Sequence, residues 1–203
     1  TNELHQAIHS NELLPYYQPI VRIADNVVFG FEALVRWKHE KKGFIPPDVF
    51  IPIAEESELI KDIGSFMLLA AGRQAKQWFG ENNAETEHQT IAINVAAKEL
   101  KQKDFSQRIL LILKQNNIPA RNIKLELTES ALMDDPQGVV HQLKALRKAG
   151  ISIAIDDFGT GYSSLSYLRK FPIDFLKIDQ SFVRDIGEDN NDEAIIKAII
   201  QMA

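Results

Sequence analysis

Asn94, Glu126, Asp156 and Asp179 each stand toward the C-terminal end of a short apolar run, Glu32 sits inside another, Asp157 follows Asp156 directly, and Lys177 lies two residues before Asp179. Every candidate ligand in this set is a hard oxygen donor. No imidazole or thiolate belongs to it. Oxygen-only sites select Mg²⁺ or Mn²⁺ over Zn²⁺. Several carboxylates in one cavity repel one another unless divalent cations neutralise them. Two such ions about 3.5–4 Å apart are a standard device for in-line attack on a phosphate ester. Successive Asp156 and Asp157 point in different directions at a strand end, so that either each faces one of two ions or one of them bridges. Lys177 is suited to orienting or deprotonating an attacking water, to holding a phosphate oxygen, or to a salt bridge with Asp179 or Glu126.

Those residues need a scaffold that brings them together. Strand-like runs rich in Ile, Val and Phe occupy 16–21, 27–37, 90–95, 123–129, 151–158 and 175–179. Helix-like stretches lie between them: 63–79 with Asp62 as a cap, 107–116 with Ser106 as a cap, 136–149 opened by Asp135-Pro136 and stopped at Gly150, and 193–203. Ala24-Asp25-Asn26 reads as a hairpin turn, which makes the first two strands antiparallel. The remaining β-α alternation predicts parallel strands with crossover helices.

Side chains alternate faces along a strand. In 27–37, Phe29, Phe31, Ala33 and Val35 share one face, and Val28, Gly30, Glu32, Leu34 and Arg36 share the other. Ile91, Ile93 and Val95 oppose Asn94; Leu125 and Leu127 oppose Lys124, Glu126 and Thr128; Ile153 and Ile155 oppose Ala154 and Asp156; Leu176 and Ile178 oppose Lys177 and Asp179. One face is bulky and apolar, as needed under a helix. The other carries the polar residues near the C-terminal strand ends, where a (β/α)8 barrel places its chemistry. Buried carboxylates cost several kcal/mol each unless paired or metal-bound, so the shared pattern points to a common site. The loop from Asp156 to Leu165, with Gly159 and Gly161, reads as an active-site loop in which Ser163 or Ser164 caps the following helix.

Composition narrows the function. The chain has 203 residues, formal net charge -5, 45% hydrophobic and 25% charged residues, which is ordinary globular composition for one domain. The absence of cysteine excludes a disulfide scaffold, thiolate metal sites and a cysteine nucleophile. Lys and Arg number 23 against 28 for Asp and Glu, so no basic excess exists to hold a DNA or RNA polymer by charge. A small anionic substrate needs help from metal ions. No apolar run is long enough to span a bilayer, and the expected location is the cytoplasm, with a membrane anchor elsewhere in a parent protein still allowed. Other features carry little weight: His5 and His9 read as exposed, Met67-Leu68-Leu69 as core, Glu40-Lys41-Lys42 as a solvated turn, and Glu55, Glu56 and Glu58 as helix surface.

Five ordered motifs carry a family resemblance: Glu32-Ala33-Leu34 within FEALVRW, INVAAKEL at 93–100, ELTES at 126–130, DDFGTGYSSL at 156–165 and KIDQSF at 177–182. Together they resemble the EAL domain family, bacterial domains that hydrolyse the second messenger cyclic di-GMP to linear pGpG. The resemblance implies an α/β fold, a TIM-like (β/α)8 barrel with an antiparallel first strand, and a site completed by two Mg²⁺ or Mn²⁺ ions. By position, Glu32, Asn94, Glu126 and Asp156 look like metal ligands, and Asp157 like a ligand of the second ion. Asp179 joins the metal set by analogy. Lys177 matches the lysine that contacts the hydrolytic water. Glu129 resembles the glutamate that holds the DFGTGYSSL loop. Gln18 and Arg36 match positions that touch the nucleotide, Arg36 through phosphate; Leu34 lines the same cavity, and Phe50 resembles a position near a guanine base.

Two departures stand out. Ala96 occupies a position where the family usually has Ser. The family also continues with two further strands, one ending in a glutamate, whereas these residues stop within an apolar helix. The expectation is therefore an EAL domain over 1–203 that lacks its last two strands, and a fragment whose own turnover is in question. The alternative reading is a catalytically inactive cyclic di-GMP receptor; a Mg²⁺-dependent barrel lyase is a third. The resemblance further implies pairing into a homodimer beside the DFGTGYSSL loop, and sensory or GGDEF-type domains in the parent protein.

Overall fold

A computed structural model of the chain describes residues 2–80, 89–133, 135–159, 168, 170–184, 186–187 and 190–202. The chain begins with α1 (Asn2–His9) and then forms β1 (Leu13–Arg22) and β2 (Val27–His39). These two pair antiparallel, with Gln18 opposite Glu32, Tyr16 opposite Leu34 and Leu14 opposite Arg36. Their turn is held by Arg22 and Asp25, whose side chains form a close ion pair of 2.6 Å, and by Asn26 in the left-handed region at φ 58°. Asn tolerates that conformation better than most residues. The short β3 (Gly43–Ile45) returns along the end of β2, antiparallel to it.

From β2 onward the sheet is parallel, through β4 (Thr90–Val95), β5 (Ile123–Thr128), β6 (Ser152–Phe158) and β7 (Phe175–Ile178). The intervening helices are α2 (Pro47–Glu56), α3 (Ile60–Phe79), α4 (Ala97–Leu100), α5 (Phe105–Gln115), α6 (Glu129–Met133) and α7 (Pro136–Lys148), followed after β7 by α8 (Gln180–Arg184) and α9 (Asn190–Met202). The expected apolar faces lie under helices. Ile91, Ile93, Leu125, Leu127, Ile153 and Ile155 are buried in one core with Met67, Leu68 and Ala71 of α3, Ile109 and Leu113 of α5, and Leu143 and Leu146 of α7. Each such Ile, Leu or Met side chain stabilises the fold by about 1.5–3 kcal/mol. The α/β class, the antiparallel first pair and the parallel succession agree with the sequence reading.

The sheet is curled. The Phe29 ring on β2 meets the Phe175 ring on β7, with centroids 6.5 Å apart, although β4, β5 and β6 lie between those strands. The other face of the sheet therefore lines a concave interior. Phe29 itself corrects the alternation argument. Ile20 pairs with Gly30 and Val21 with Val28, so Phe29 is the extra residue of a β-bulge. A bulge shifts the side-chain alternation by one, and Phe29 turns inward rather than joining Phe31, which packs on Trp78 of α3.

Helix starts were the weaker part of the sequence reading. Asp62 does not cap α3: the helix begins earlier, at Ile60, because Ile60 and Ile63 are both buried and draw the first turn onto the core. Ser106 is not a cap either. It lies inside α5, where its amide donates to Gln142 of α7 at 3.1 Å. The cap at Asp135 holds, its carboxylate accepting from the Gly138 amide at 3.2 Å, and Gly150, just beyond the end of α7, takes φ 100°. Residues 160–165, with the expected Ser163 or Ser164 cap, lie outside the described residues. No described helix is long and apolar enough to cross a membrane.

Candidate active site

Three strands deliver one carboxylate each to a single point. Glu32 of β2, Glu126 of β5 and Asp156 of β6 each present an oxygen within 4.8 Å of the others. Parallel register places them: Asn94 pairs with Glu126, and Thr128 pairs with Asp156. Lys177, on β7, sits among them. Its ammonium donates to Glu126, to Asp156 at 3.0 Å and to Glu32 at 3.4 Å. Of the open alternatives for this lysine, the ion pair with Glu126 is present. Asn94 donates its side-chain amide to Glu32 at 2.8 Å and so fixes the orientation of that carboxylate.

Electrostatics follow from burial and crowding. The Glu126 side chain is 1% exposed. Burial pushes its carboxyl above the ordinary glutamate value; Lys177 opposes the shift, while Glu32 and Asp156 add to it. For Lys177, burial acts to lower the ammonium's value, but the surrounding Glu126, Asp156 and Glu32 outweigh it and hold the group protonated. Three acidic groups around one cation leave an excess of negative charge when ionised. Hard oxygen donors with surplus negative charge fit Mg²⁺ or Mn²⁺.

Asp157 and Asp179 form a second pair. Asp157 takes φ 52°, a left-handed conformation that costs about 1–2 kcal/mol for a residue with a Cβ. The twist separates its side chain from that of Asp156, whose carboxylate accepts from the Asp157 amide at 3.0 Å. Burial raises the Asp157 carboxyl, and the charge of Asp156 and the hydrogen bond with Asp179 raise it further. Asp179 also accepts from the Ser181 amide at 2.8 Å, at the start of α8, and that hydroxyl and amide hold its carboxyl below the usual range. Neither residue belongs to the three-carboxylate group.

The remaining candidates divide. Glu129, buried at the start of α6, accepts from the Gly159 amide at 3.1 Å and so grips the described beginning of the loop after β6. Gln18 lies directly across from Glu32 and therefore on the same face. Leu34, Arg36 and Asn94 border a cavity of about 200 Å³ between the rim of the sheet and helices α2 and α3. Phe50 is a correction. It is fully buried, edge-on to Trp37 with centroids 5.7 Å apart, and offers no surface to a base. Its position on the apolar face of α2 is a core position. Ala96 is the N-cap of α4 with no side-chain cap bond, which is what replacement of a serine hydroxyl there removes.

Nothing in the local sequence around Lys124 signals a role for it. Its ammonium lies 3.9 Å from the centroid of Phe175 and 5.5 Å from that of Phe29, inside the curled sheet below Glu126. Burial lowers its value, and attraction to Glu126 works against that. Period-two alternation places it on the inner face; the aromatic enclosure depends on the bulge at Phe29. His5 and His9 are exposed and Met67 and Leu68 are buried, as expected.

The EAL domain family model matches residues 1–203. The chain belongs to the EAL domain family. An uncharacterized signaling protein of Caulobacter vibrioides is 42% identical over 198 residues, covering 98% of this chain and 24% of that protein. The cyclic di-GMP phosphodiesterase NbdA of Pseudomonas aeruginosa is 40% identical over 201 residues, covering 99% of this chain and 25% of NbdA. Among solved structures, the PaMucR phosphodiesterase in complex with c-di-GMP superposes with a TM-score of 0.90 at 36% identity, covering 98% of this EAL domain and 80% of that chain. The domain thus spans about a quarter of the length of these curated relatives.

Proposed function

We propose that this EAL domain hydrolyses one phosphodiester bond of cyclic di-GMP to give linear pGpG, with divalent cations held by Glu32, Asn94, Glu126 and Asp156. The observation that carries the reading is the meeting of Glu32, Glu126 and Asp156 oxygens within 4.8 Å around Lys177 at one mouth of the sheet. The substrate is inferred from relatives that bear the name cyclic di-GMP phosphodiesterase. Mg²⁺ or Mn²⁺ bound there would neutralise the carboxylates and supply an acidified water. Asp157 and Asp179 are proposed as the neighbouring acidic pair that serves a second ion.

The chain's own groups divide the remaining work. Lys177 sits among these carboxylates, donating to Glu126, Asp156 and Glu32, and its proposed role is to orient water and to place positive charge near the phosphate. Arg36 supplies a permanent cation for the phosphate on the same side. Gln18, across from Glu32, offers an amide to the nucleotide. Glu129 keeps the loop start in place through Gly159. Sensory or cyclase domains, homodimerisation and a cytoplasmic setting are proposed for the whole protein on the same family grounds.

The test is chromatographic detection of linear pGpG after incubating the full-length protein with cyclic di-GMP and Mn²⁺. Product that disappears with chelator supports the reading. Tight substrate binding with no product would reject hydrolysis and favour the receptor alternative.

A further inference from the structure

β2 outruns the sheet it belongs to. β4 pairs with it only from Gly30 to Ala33, whereas β2 continues to His39. Over that extension its partners are β1 on one side and β3 at the end. Glu32, Leu34, Arg36 and Lys38 share one face by alternation. Cross-strand pairing adds Gln18, Tyr16 and Phe44 to the same face, opposite Glu32, Leu34 and Lys38 respectively. A three-stranded ribbon thus projects from the carboxylate cluster with a continuous inner face.

That face is aromatic and cationic. Tyr16 is 47% and Phe44 54% exposed. Their rings meet edge to face, with centroids 6.1 Å apart and planes at 80°. The Arg36 guanidinium lies 5.9 Å over the Tyr16 ring and is steadied by a hydrogen bond to the Val35 carbonyl at 2.9 Å. Tyr16 precedes Gln18 by two residues, or about 7 Å along the strand. Two exposed rings at right angles beside a guanidinium form a corner that suits a planar base with a phosphate attached. A purely structural pair would be expected to cover apolar surface and be buried in doing so.

We propose that Tyr16 and Phe44 form a stacking platform for one purine base of the cyclic dinucleotide, held while its phosphate lies at the carboxylate cluster. The assignment rests on the cyclic di-GMP reading above. The two rings act as specificity residues for a nucleotide over a bare phosphodiester. They contribute to binding and leave the reacting atoms to Glu32, Glu126, Asp156 and Lys177.

Base–aromatic stacking is sequence-tolerant and strong enough that Tyr16→Ala and Phe44→Ala should each weaken cyclic di-GMP binding about tenfold, whereas Tyr16→Phe and Phe44→Tyr should stay within about twofold of wild type. The experiment is calorimetric titration of the full-length protein with cyclic di-GMP in chelator, where binding is read without turnover, followed by steady-state kinetics with Mn²⁺. KM should rise with the dissociation constant while kcat moves far less. Wild-type affinity in both alanine variants, with hydrolysis intact, overturns the platform and spares the hydrolytic reading. Weakened binding in the alanine variants of a protein that makes no pGpG overturns hydrolysis and supports the platform. A wild-type protein that neither binds cyclic di-GMP in chelator nor converts or binds it with Mn²⁺ overturns both.

Discussion

Lys177 reaches Glu32 across 3.4 Å even though three strands, β4, β5 and β6, separate their own strands in the sheet. One ammonium therefore closes the inner face of a curled sheet, tying β7 to β2, β5 and β6 at once. Remove it and three acidic groups face one another with no cation between them. Lys177→Met is expected to cost about 2 kcal/mol of stability, less than loss of a fully buried pair because Lys177, Glu32 and Asp156 are partly exposed, although Glu126 is not. That corresponds to roughly 4–8 °C in Tm. Added Mn²⁺ should raise the Tm of the variant more than that of wild type, and pGpG formation should fall by about two orders of magnitude or more. Thermal melts with and without Mn²⁺ check the first point; equal metal responses would count against a shared carboxylate–cation site.

Glu32→Ala removes one oxygen donor and the acceptor of the Asn94 amide. The side chain is 20% exposed, so no large dry cavity forms and the cost in folding should be about 1 kcal/mol or less. Hydrolysis should be abolished and Mn²⁺ affinity lowered, as read by product formation and by metal titration. Global unfolding in circular dichroism would mean that Glu32 is structural.

Glu129→Ala leaves the Gly159 amide without its acceptor. Gly159 is only partly buried, so the unsatisfied donor should cost about 1 kcal/mol, the low end for a buried one. Gly159 also takes φ 104°, a conformation that the lost bond helps to hold. Hydrogen exchange at the Gly159 amide should accelerate and turnover should slow, while Glu129→Gln, which keeps an acceptor oxygen, should restore much of both. Unchanged exchange in the alanine variant would dismiss the anchoring role.

Ala96 leaves α4 uncapped by any side chain. Its carbonyl already accepts from the Glu99 amide at 3.0 Å, and its backbone is extended as an N-cap requires. Ala96→Ser should therefore stabilise the domain by about 0.5–1 kcal/mol, or roughly 1–4 °C in a melt. A lower Tm would show that the hydroxyl cannot reach the first-turn amides.

Glu99 provides a pH test away from the metal ligands. Burial raises its carboxyl above the ordinary value of 4.5, with Arg108 opposing that only in part. The pair is close, at 3.0 Å. The folded protein consequently binds this proton more readily than the unfolded chain. Stability from that preference is complete below the unfolded value and disappears as pH rises through the folded value. Relative to Glu99→Gln, wild type should lose stability across that window, with a slope of at most about 1.4 kcal/mol per pH unit. Denaturant melts of both proteins over a pH series give the difference directly; a constant difference would contradict the raised value.

Much of this molecule was legible from residue order alone. Alternation with period two is a local property of an extended chain, so it placed Glu32, Asn94, Glu126, Asp156 and Lys177 on one face without any knowledge of what lay opposite. The Ala24-Asp25-Asn26 turn and the Asp135-Pro136 helix start were legible for the same reason, since turn and cap chemistry act over three or four residues. Features that depend on partners far along the chain were not. One extra residue at Phe29 breaks the alternation invisibly, because a bulge is defined by the opposing strand. Phe50 looked available until the packing of α2 on Trp37 buried it. The divergence of Asp156 and Asp157 was legible, though the left-handed backbone at Asp157 was not, and the reach of Lys177 to Glu32 arises from the way the sheet curls. Chain order specified which side chains face inward; curvature, set by strand twist and by helices packing on the opposite face, specified which of them touch.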